Sequence, residues 1–326
     1  MDAEQPASES PKLRPSLDQE ALTNADFLAS AGISRLQVVE STGSTNADLL
    51  NAVALEPREW PDLAVLTAEH QTAARGRLDR HWDSPARAAV SVSIVLRPVN
   101  AQGLPLPSSS YSWLSLLAAI ALRETLIETA GLPAEIKWPN DVLVRGRKIA
   151  GILAQLSPAQ LDPGKFGSEK PGSEKPGSEK PGSRGDGMAR AVILGTGLNV
   201  LLDEAELPVP TATSVLLEQP LTTDRTELLK TYLSRFASLY RSFCNADGDP
   251  AAGLAGGPSL HKRVEAAMVT LGKEVRAQLP GDHEIIGHAS RLDEYGSLLV
   301  VDHAGREHVV TAGDVVHLRP TESGYA

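Results

Sequence analysis

Between residues 36 and about 200 the hydrophobic pattern changes period repeatedly, and this limits the fold more than any other feature of the chain. Leu36 to Ser41 and Leu63 to Glu69 read as strands. Val90 to Leu96 sets Val90, Val92, Ile94 and Leu96 on one face and Ser91, Ser93 and Val95 on the other, which predicts a half-buried strand. A long apolar helix follows over Tyr111 to Ala130, with Gly131 as its stop. Residues 142–145 and 149–156 are two strand candidates around a turn at Gly146, and Ala191 to Leu194 is a short buried strand. Helices and strands do not alternate strictly. An α+β fold with a mixed or antiparallel sheet is therefore expected, not a doubly wound one.

The flanks divide the chain. Residues 1–35 predict a disordered tail and one helix near 17–30, because Ser16 to Gln19 has capping-box spacing and Gly32 supplies a stop. Residues 36–270 form the main domain, with Leu228, Leu229, Tyr232, Leu233, Phe236, Leu239, Tyr240 and Phe243 at helical spacing near its end. Cys244 ends that face as a packing residue. Within 167–183 the pentapeptide Gly-Ser-Glu-Lys-Pro repeats three times, too polar and proline-rich to bury anything, so a flexible surface insertion is expected. Residues 271–326 carry short strands split by Pro280-Gly281, Tyr295-Gly296 and Ala304-Gly305, the signature of a small β-barrel. His283/His288 and His303/His308 are each five apart, which predicts opposite faces of a strand and argues against a metal site.

Composition narrows the function. One cysteine excludes a disulfide framework and a four-cysteine zinc site. No apolar run is long enough for a membrane span, and the first 30 residues hold no signal-type stretch, so a cytoplasmic protein is expected. A net charge of −10 makes nucleic acid a poor default partner. The segment before the first strand is too short and too acidic for a DNA-reading helix-turn-helix domain.

Positive charge is nevertheless concentrated in two places. Arg75, Arg77 and Arg80 lie in a segment without apolar periodicity, where Gly76 allows close backbone approach to an anion and Trp82 offers a ring. Lys137, Arg145, Arg147 and Lys148 surround the turn Trp138-Pro-Asn140-Asp141, and Lys148 opens an otherwise apolar strand. Ser41 to Asn46 is a polar cluster between a strand and a helix, with Ser44 or Thr45 as the helix cap.

Taken in order, Gly43-Ser-Thr-Asn46, Gln71 with Arg75-Gly-Arg77, Lys137-Trp-Pro-Asn-Asp141, Lys148-Ile-Ala-Gly-Ile152 and Gly195-Thr-Gly-Leu-Asn199 closely resemble the biotin protein ligases. Gly287 to Gly296 and Gly313 to Pro320 are similar to that family's SH3-like cap. The resemblance implies a class II synthetase-like catalytic domain followed by that cap. It also implies ATP and biotin as substrates with Mg²⁺, and transfer of biotin through biotinyl-5′-AMP to a lysine of a biotin carboxyl carrier protein or domain. By matching motif, Ser44, Thr45, Asn46, Gln71, Arg75, Gly76, Arg77, Lys148 and Gly151 would bind biotin, with Lys148, Arg75 and Arg77 catalytic. Arg80, Trp82, Asn140, Asp141, Asn199 and Arg319 would meet the nucleotide, and Mg²⁺ would be held mainly by phosphates. No nucleic acid or membrane partner is implied, and a monomer or weak homodimer is expected. A lipoate-type ligase and a biotin-sensing repressor are the disfavoured alternatives. The chain departs from the usual motif at Ala74 and Asp79, where the family commonly has glycine. A positive φ at position 74 would strain alanine by ~1 kcal/mol.

Overall fold

The computed structural model describes residues 14–77, 80–158, 190–279, 283–311 and 314–317. The tail before Arg14, the pentapeptide insertion, Asp79 and Arg319 lie outside the described residues. Asp18 caps α1 (Gln19–Thr23), and Asn24 ends it and caps α2 (Ala25–Ala31). The single helix predicted here is two, because the Asn24 side chain accepts from the N–H groups of Asp26 and Phe27 and breaks the helical path.

The chain then runs through β1 (Arg35–Val39), α3 (Thr45–Leu55), β2 (Ala64–Ala68) and β3 (Ala89–Leu96). It continues through α4 (Trp113–Glu128), β4 (Ala134–Lys137), β5 (Asp141–Val144), β6 (Arg147–Leu156) and β7 (Val192–Asn199). These seven strands make one sheet in the order β1-β2-β3-β7-β6-β5-β4. β1 and β2 pair in parallel and the other pairs are antiparallel, so the sheet is mixed, as the sequence pattern implies.

One face carries Val90, Val92, Ile94, Leu194, Leu198 and Ile152 and packs against α4 and α5 (Arg225–Asn245). The other face is apolar at one end only, where Leu49 and Val53 of α3 meet Leu66, Val95 and Ile193. β3 is consequently buried at every position, not half-buried, because both faces of its sheet are covered. β7 extends five residues beyond the expected Leu194, since Gly195 and Gly197 stay in the ladder instead of turning. Cys244 is buried at the end of α5.

After α6 (Leu260–Ala267) the chain enters a second, antiparallel sheet. It consists of β8 (Glu274–Leu279), β9 (His283–Leu292), β10 (Leu298–Asp302), β11 (Glu307–Val310) and β12 (Asp314–His317), in the order β11-β10-β9-β8-β12. Its two end strands are not paired with each other among the described residues, so the described part of the sheet does not close into the expected barrel. His303 lies in the turn before β11 and His308 within that strand, so they do not share one strand as the spacing predicted. The Asp293–Ser297 turn seats this sheet on the first: the indoles of Trp113 and Trp138 donate to the carbonyls of Glu294 and Gly296 at 2.8 and 3.0 Å. Gly296 has φ +75° and lies against Leu116 and Trp113, a place without room for a side chain. No helix among the described residues is long and apolar enough to cross a membrane.

Candidate functional site

The second face of the main sheet holds a lane with almost no side chains. Cross-strand register aligns Ala68, Ser91, Gly197, Gly151, Asp141 and Lys137 on β2, β3, β7, β6, β5 and β4. Period-two alternation puts all six on the same face. The neighbouring row is Leu66, Ser93, Gly195 and Leu153. The small residues leave space over the middle strands, and other segments reach into that space.

At one end stands the N-terminus of α3. Ser44 is its cap, accepting from the Ala47 N–H, so its hydroxyl has the role expected of a helix start. Thr45 donates backbone N–H and hydroxyl to Gln71 Oε1 at 2.9 and 3.1 Å, and its hydroxyl oxygen lies 2.7 Å from that of Ser93. Gln71 is thereby oriented with its carbonyl oxygen engaged, which leaves its NH₂ group to donate elsewhere. Asn46 is only 6% exposed and faces the sheet. Its amide donates to Gln155 Oε1 at 2.8 Å and its oxygen accepts from Ser93 at 2.6 Å. A Cβ on Gly195 would collide with the Asn46 side chain. Asn46 therefore holds the floor of this pocket.

At the other end the residues are charged. Lys148 Nζ is 2.7 Å from Asp141 Oδ1 and 5.6 Å from the centre of the Trp82 ring. Lys148 and Gly151 would sit on opposite faces of a regular strand. A register shift in the β5–β6 pairing between Val142 and Leu143 brings Lys148 to the face of Gly151, where its Nζ is 3.3 Å from the position a Cβ would take. Its backbone is clamped by Thr211 and Thr213, through bonds of 2.8 Å at both N–H and C=O. Burial lowers the Lys137 ammonium below the ordinary lysine value, and Lys148 and Arg80 push the same way against Asp141. Arg77 is likewise lowered by burial and by Arg80, with Asp141 opposing.

The arginine segment folds back on itself over the lane. Arg75 pairs with His81, the Gly76 N–H donates to the Arg80 carbonyl at 2.7 Å, and the Trp82 N–H donates to the Ala74 carbonyl at 3.0 Å. Trp82 is thereby laid across β6 and β7. A methyl at position 197 would be 2.8 Å from its ring, and one at 151 would be 3.3 Å away. Its indole Nε1 is buried without a hydrogen-bond partner, a donor that a ligand can satisfy. Ala74 is buried and is not among the positive-φ residues, so the strain considered for alanine there does not arise.

Two sequence candidates act through the backbone. Asn140 donates to the Ile152 carbonyl at 2.6 Å and accepts from its N–H, fastening the Trp138–Asp141 turn to β6. Asn199 donates to the Thr213 carbonyl at 3.0 Å, fixing the segment that clamps Lys148.

Comparison with known proteins places the chain in a family. Residues 38–161 match the Biotin/lipoate A/B protein ligase family and residues 270–318 the Biotin protein ligase C terminal domain. The chain is 36% identical to the biotin--[acetyl-CoA-carboxylase] ligase of Mycobacterium tuberculosis, across 94% of this chain and 98% of that protein. The chain belongs to the biotin protein ligase family. The bifunctional ligase/repressor BirA of Bacillus subtilis is 28% identical over 84% of this chain and 71% of its own length. The biotin protein ligase of Aquifex aeolicus, solved with biotin and ATP, has the same fold at a TM-score of 0.61 and 23% identity, covering 88% of this chain and all of that one.

The structure brings the segments named from the sequence together and adds supports that the sequence did not mark. Ser93 and Gln155 hold Asn46 and Thr45, and Thr211 and Thr213 clamp Lys148. Ser93 carried one available signal, as a serine interrupting an apolar strand. Gln155, Thr211 and Thr213 carried none, because each acts only through tertiary contact.

Proposed function

We propose that this biotin protein ligase activates biotin with ATP to biotinyl-5′-AMP, releasing pyrophosphate, and then transfers biotin to a lysine of a biotin carboxyl carrier domain. Residues 36–270 would form the catalytic unit and 271–326 the cap. The observation that carries this is the polarity of the lane: a neutral hydroxyl and amide pocket at one end and a cluster of cations at the other. Biotin has the same polarity, with a neutral ureido ring at one end and a carboxylate at the other. Thr45, Gln71 and Ser44 would meet the ring, and the Gly151–Gly197 strip would underlie the chain. Lys148, Arg77 and Arg75 would receive the carboxylate and the α-phosphate, with Gly76 letting the loop backbone approach.

The first step brings two anions together, as the biotin carboxylate attacks the α-phosphorus and pyrophosphate leaves. Cations fixed beforehand lower that barrier without reorganising. Lys148 is fixed by Asp141, by its backbone clamp and by Trp82. The Trp82 Nε1, together with Arg80 and Asn199, would face the nucleotide. In the second step the neutral amine of the carrier lysine attacks the acyl carbon and AMP departs, while the arginine loop excludes water. No group of three or more His, Cys, Asp or Glu gathers among the described residues, so Mg²⁺ would enter on the ATP phosphates. There it would neutralise charge on the leaving group. The deciding experiment is mass spectrometry of a biotin carrier domain incubated with this protein, biotin and Mg·ATP. A gain of one biotinyl group, dependent on ATP, is expected, and an unmodified carrier would overturn the reading.

A further inference from the structure

The arginine loop is rooted in a buried ion pair. Glu69 directly follows β2, and its backbone carbonyl accepts from the Arg87 N–H at 2.8 Å, so both ends of the segment 70–87 meet at this residue. The Glu69 side chain points away from the lane, with Oε2 2.8 Å from Arg225 on α5 and the two side chains 3% and 2% exposed. A pair this deeply buried needs its remaining lone pairs and N–H groups satisfied.

The N-terminal segment Arg14 to Asp18 supplies much of what is missing. The Leu17 N–H donates to Glu69 Oε1 at 2.6 Å, and the Pro15 carbonyl accepts from Arg225 at 2.6 Å. The Asp18 N–H donates to Thr226 Oγ1 at 2.9 Å, and Arg14 meets Glu206 at 2.6 Å. A second Arg225 nitrogen donates to the Ala89 carbonyl at 3.1 Å, joining β3 to the same knot.

We propose that residues 14–18 are a strap whose backbone hydrogen-bonds to both members of the Glu69–Arg225 pair and so positions the arginine loop over the lane. Glu69 and Arg225 are positioning residues. The strap touches neither the pocket at Thr45 nor Lys148, and its effect travels through Glu69 to Gln71 and the loop. Its loss therefore weakens ligand retention more than it slows the chemistry. The inference rests on the lane being the biotin and ATP site.

Leu17→Pro removes the N–H that Glu69 accepts, while Leu17→Ala keeps it and trims only the packing. In the full chain, L17P is expected to weaken biotin binding about tenfold, the scale of one lost charge-assisted hydrogen bond. Its adenylation rate at saturating biotin should stay within about threefold of wild type. Trypsin should cleave L17P faster after Arg75, Arg77 and Arg80, while L17A keeps wild-type affinity and cleavage at a lower unfolding temperature. Thr226→Val, which removes the second acceptor from the opposite side, should shift affinity and cleavage the same way by less. Folded L17P with wild-type affinity and cleavage would overturn the strap, as would L17A matching L17P. Wild-type protein that binds no biotin would instead refute the functional reading, and the tryptic comparison would still test the strap.

Discussion

The two ends of the lane are preorganised by different physics. At the Thr45 end every group is neutral, and order comes from a closed set of short hydrogen bonds among Thr45, Gln71, Ser93, Asn46 and Gln155. At the Lys148 end order comes from opposed charges, with Asp141 set among Lys148, Lys137 and Arg77. Neutral donors and acceptors tolerate burial once paired, so that end can be closed and fixed in advance. Cations held close together repel, so the charged end needs a counter-charge and gains most when anions arrive. The first end suits recognition and the second suits reaction.

Lys148→Ala breaks the contrast most strongly. Biotin-dependent adenylate formation from ATP should fall by ~10²–10³, the usual loss for one fixed stabilising group. An unchanged rate of pyrophosphate release would remove Lys148 from the chemistry. Gly197→Ala attacks the space between the ends. The added methyl forces the Trp82 ring to move, and overpacking of about 1–2 kcal/mol should weaken nucleotide binding roughly tenfold. Calorimetry should find a smaller loss of biotin affinity in that variant, because the same strip would underlie the biotin chain. Thr45→Val reverses the pattern: biotin binding should weaken by several-fold, the scale of a lost neutral hydrogen bond, while ATP binding holds. Equal losses for both ligands would show that the two ends are not separate.

The smallest effect concerns the edge of the charged end. His317 shares Thr270 Oγ1 with the Trp138 N–H, at 3.2 and 3.0 Å. Burial, with Lys137 and Lys273, holds its imidazole below the ordinary value of 6.5. A histidine lowered in the folded state contributes its full stability above 6.5, and that contribution declines as pH falls toward the lowered folded value. Wild type should therefore lose about 1–2 °C more than His317→Gln between pH 6.5 and 5 by thermal unfolding. Identical slopes would release His317 from this role.

Much of the fold was legible because it rests on period and punctuation. β3 and α5 carry a hydrophobic repeat, and β2 and α4 a largely apolar run, that survive whatever surrounds them. β4 has only four residues, too few for its Ala-Glu-Ile-Lys alternation to stand out. β7 was read only to Leu194, because Gly195 and Gly197 have no side chains to continue an apolar pattern. In place they are strand residues kept bare so that Asn46 and Trp82 can lie across them. Asn46 shows the same limit from the other side. Its motif marked the pocket, but only contact with Ser93 and Gln155 shows that the amide faces the sheet.

The sequence by itself determined the class of fold and the family. Those depend on residue type and order along the chain, which local propensity and motif spacing record directly. The tertiary structure alone decided that the two basic segments share one face and that a shifted register turns Lys148 onto it. It also decided that the backbone of residues 15 and 17 hydrogen-bonds to Arg225 and to Glu69, both far along the chain. Such contacts join residues whose separation leaves no periodic trace, so they exist only once the strands are in register and the helices are packed.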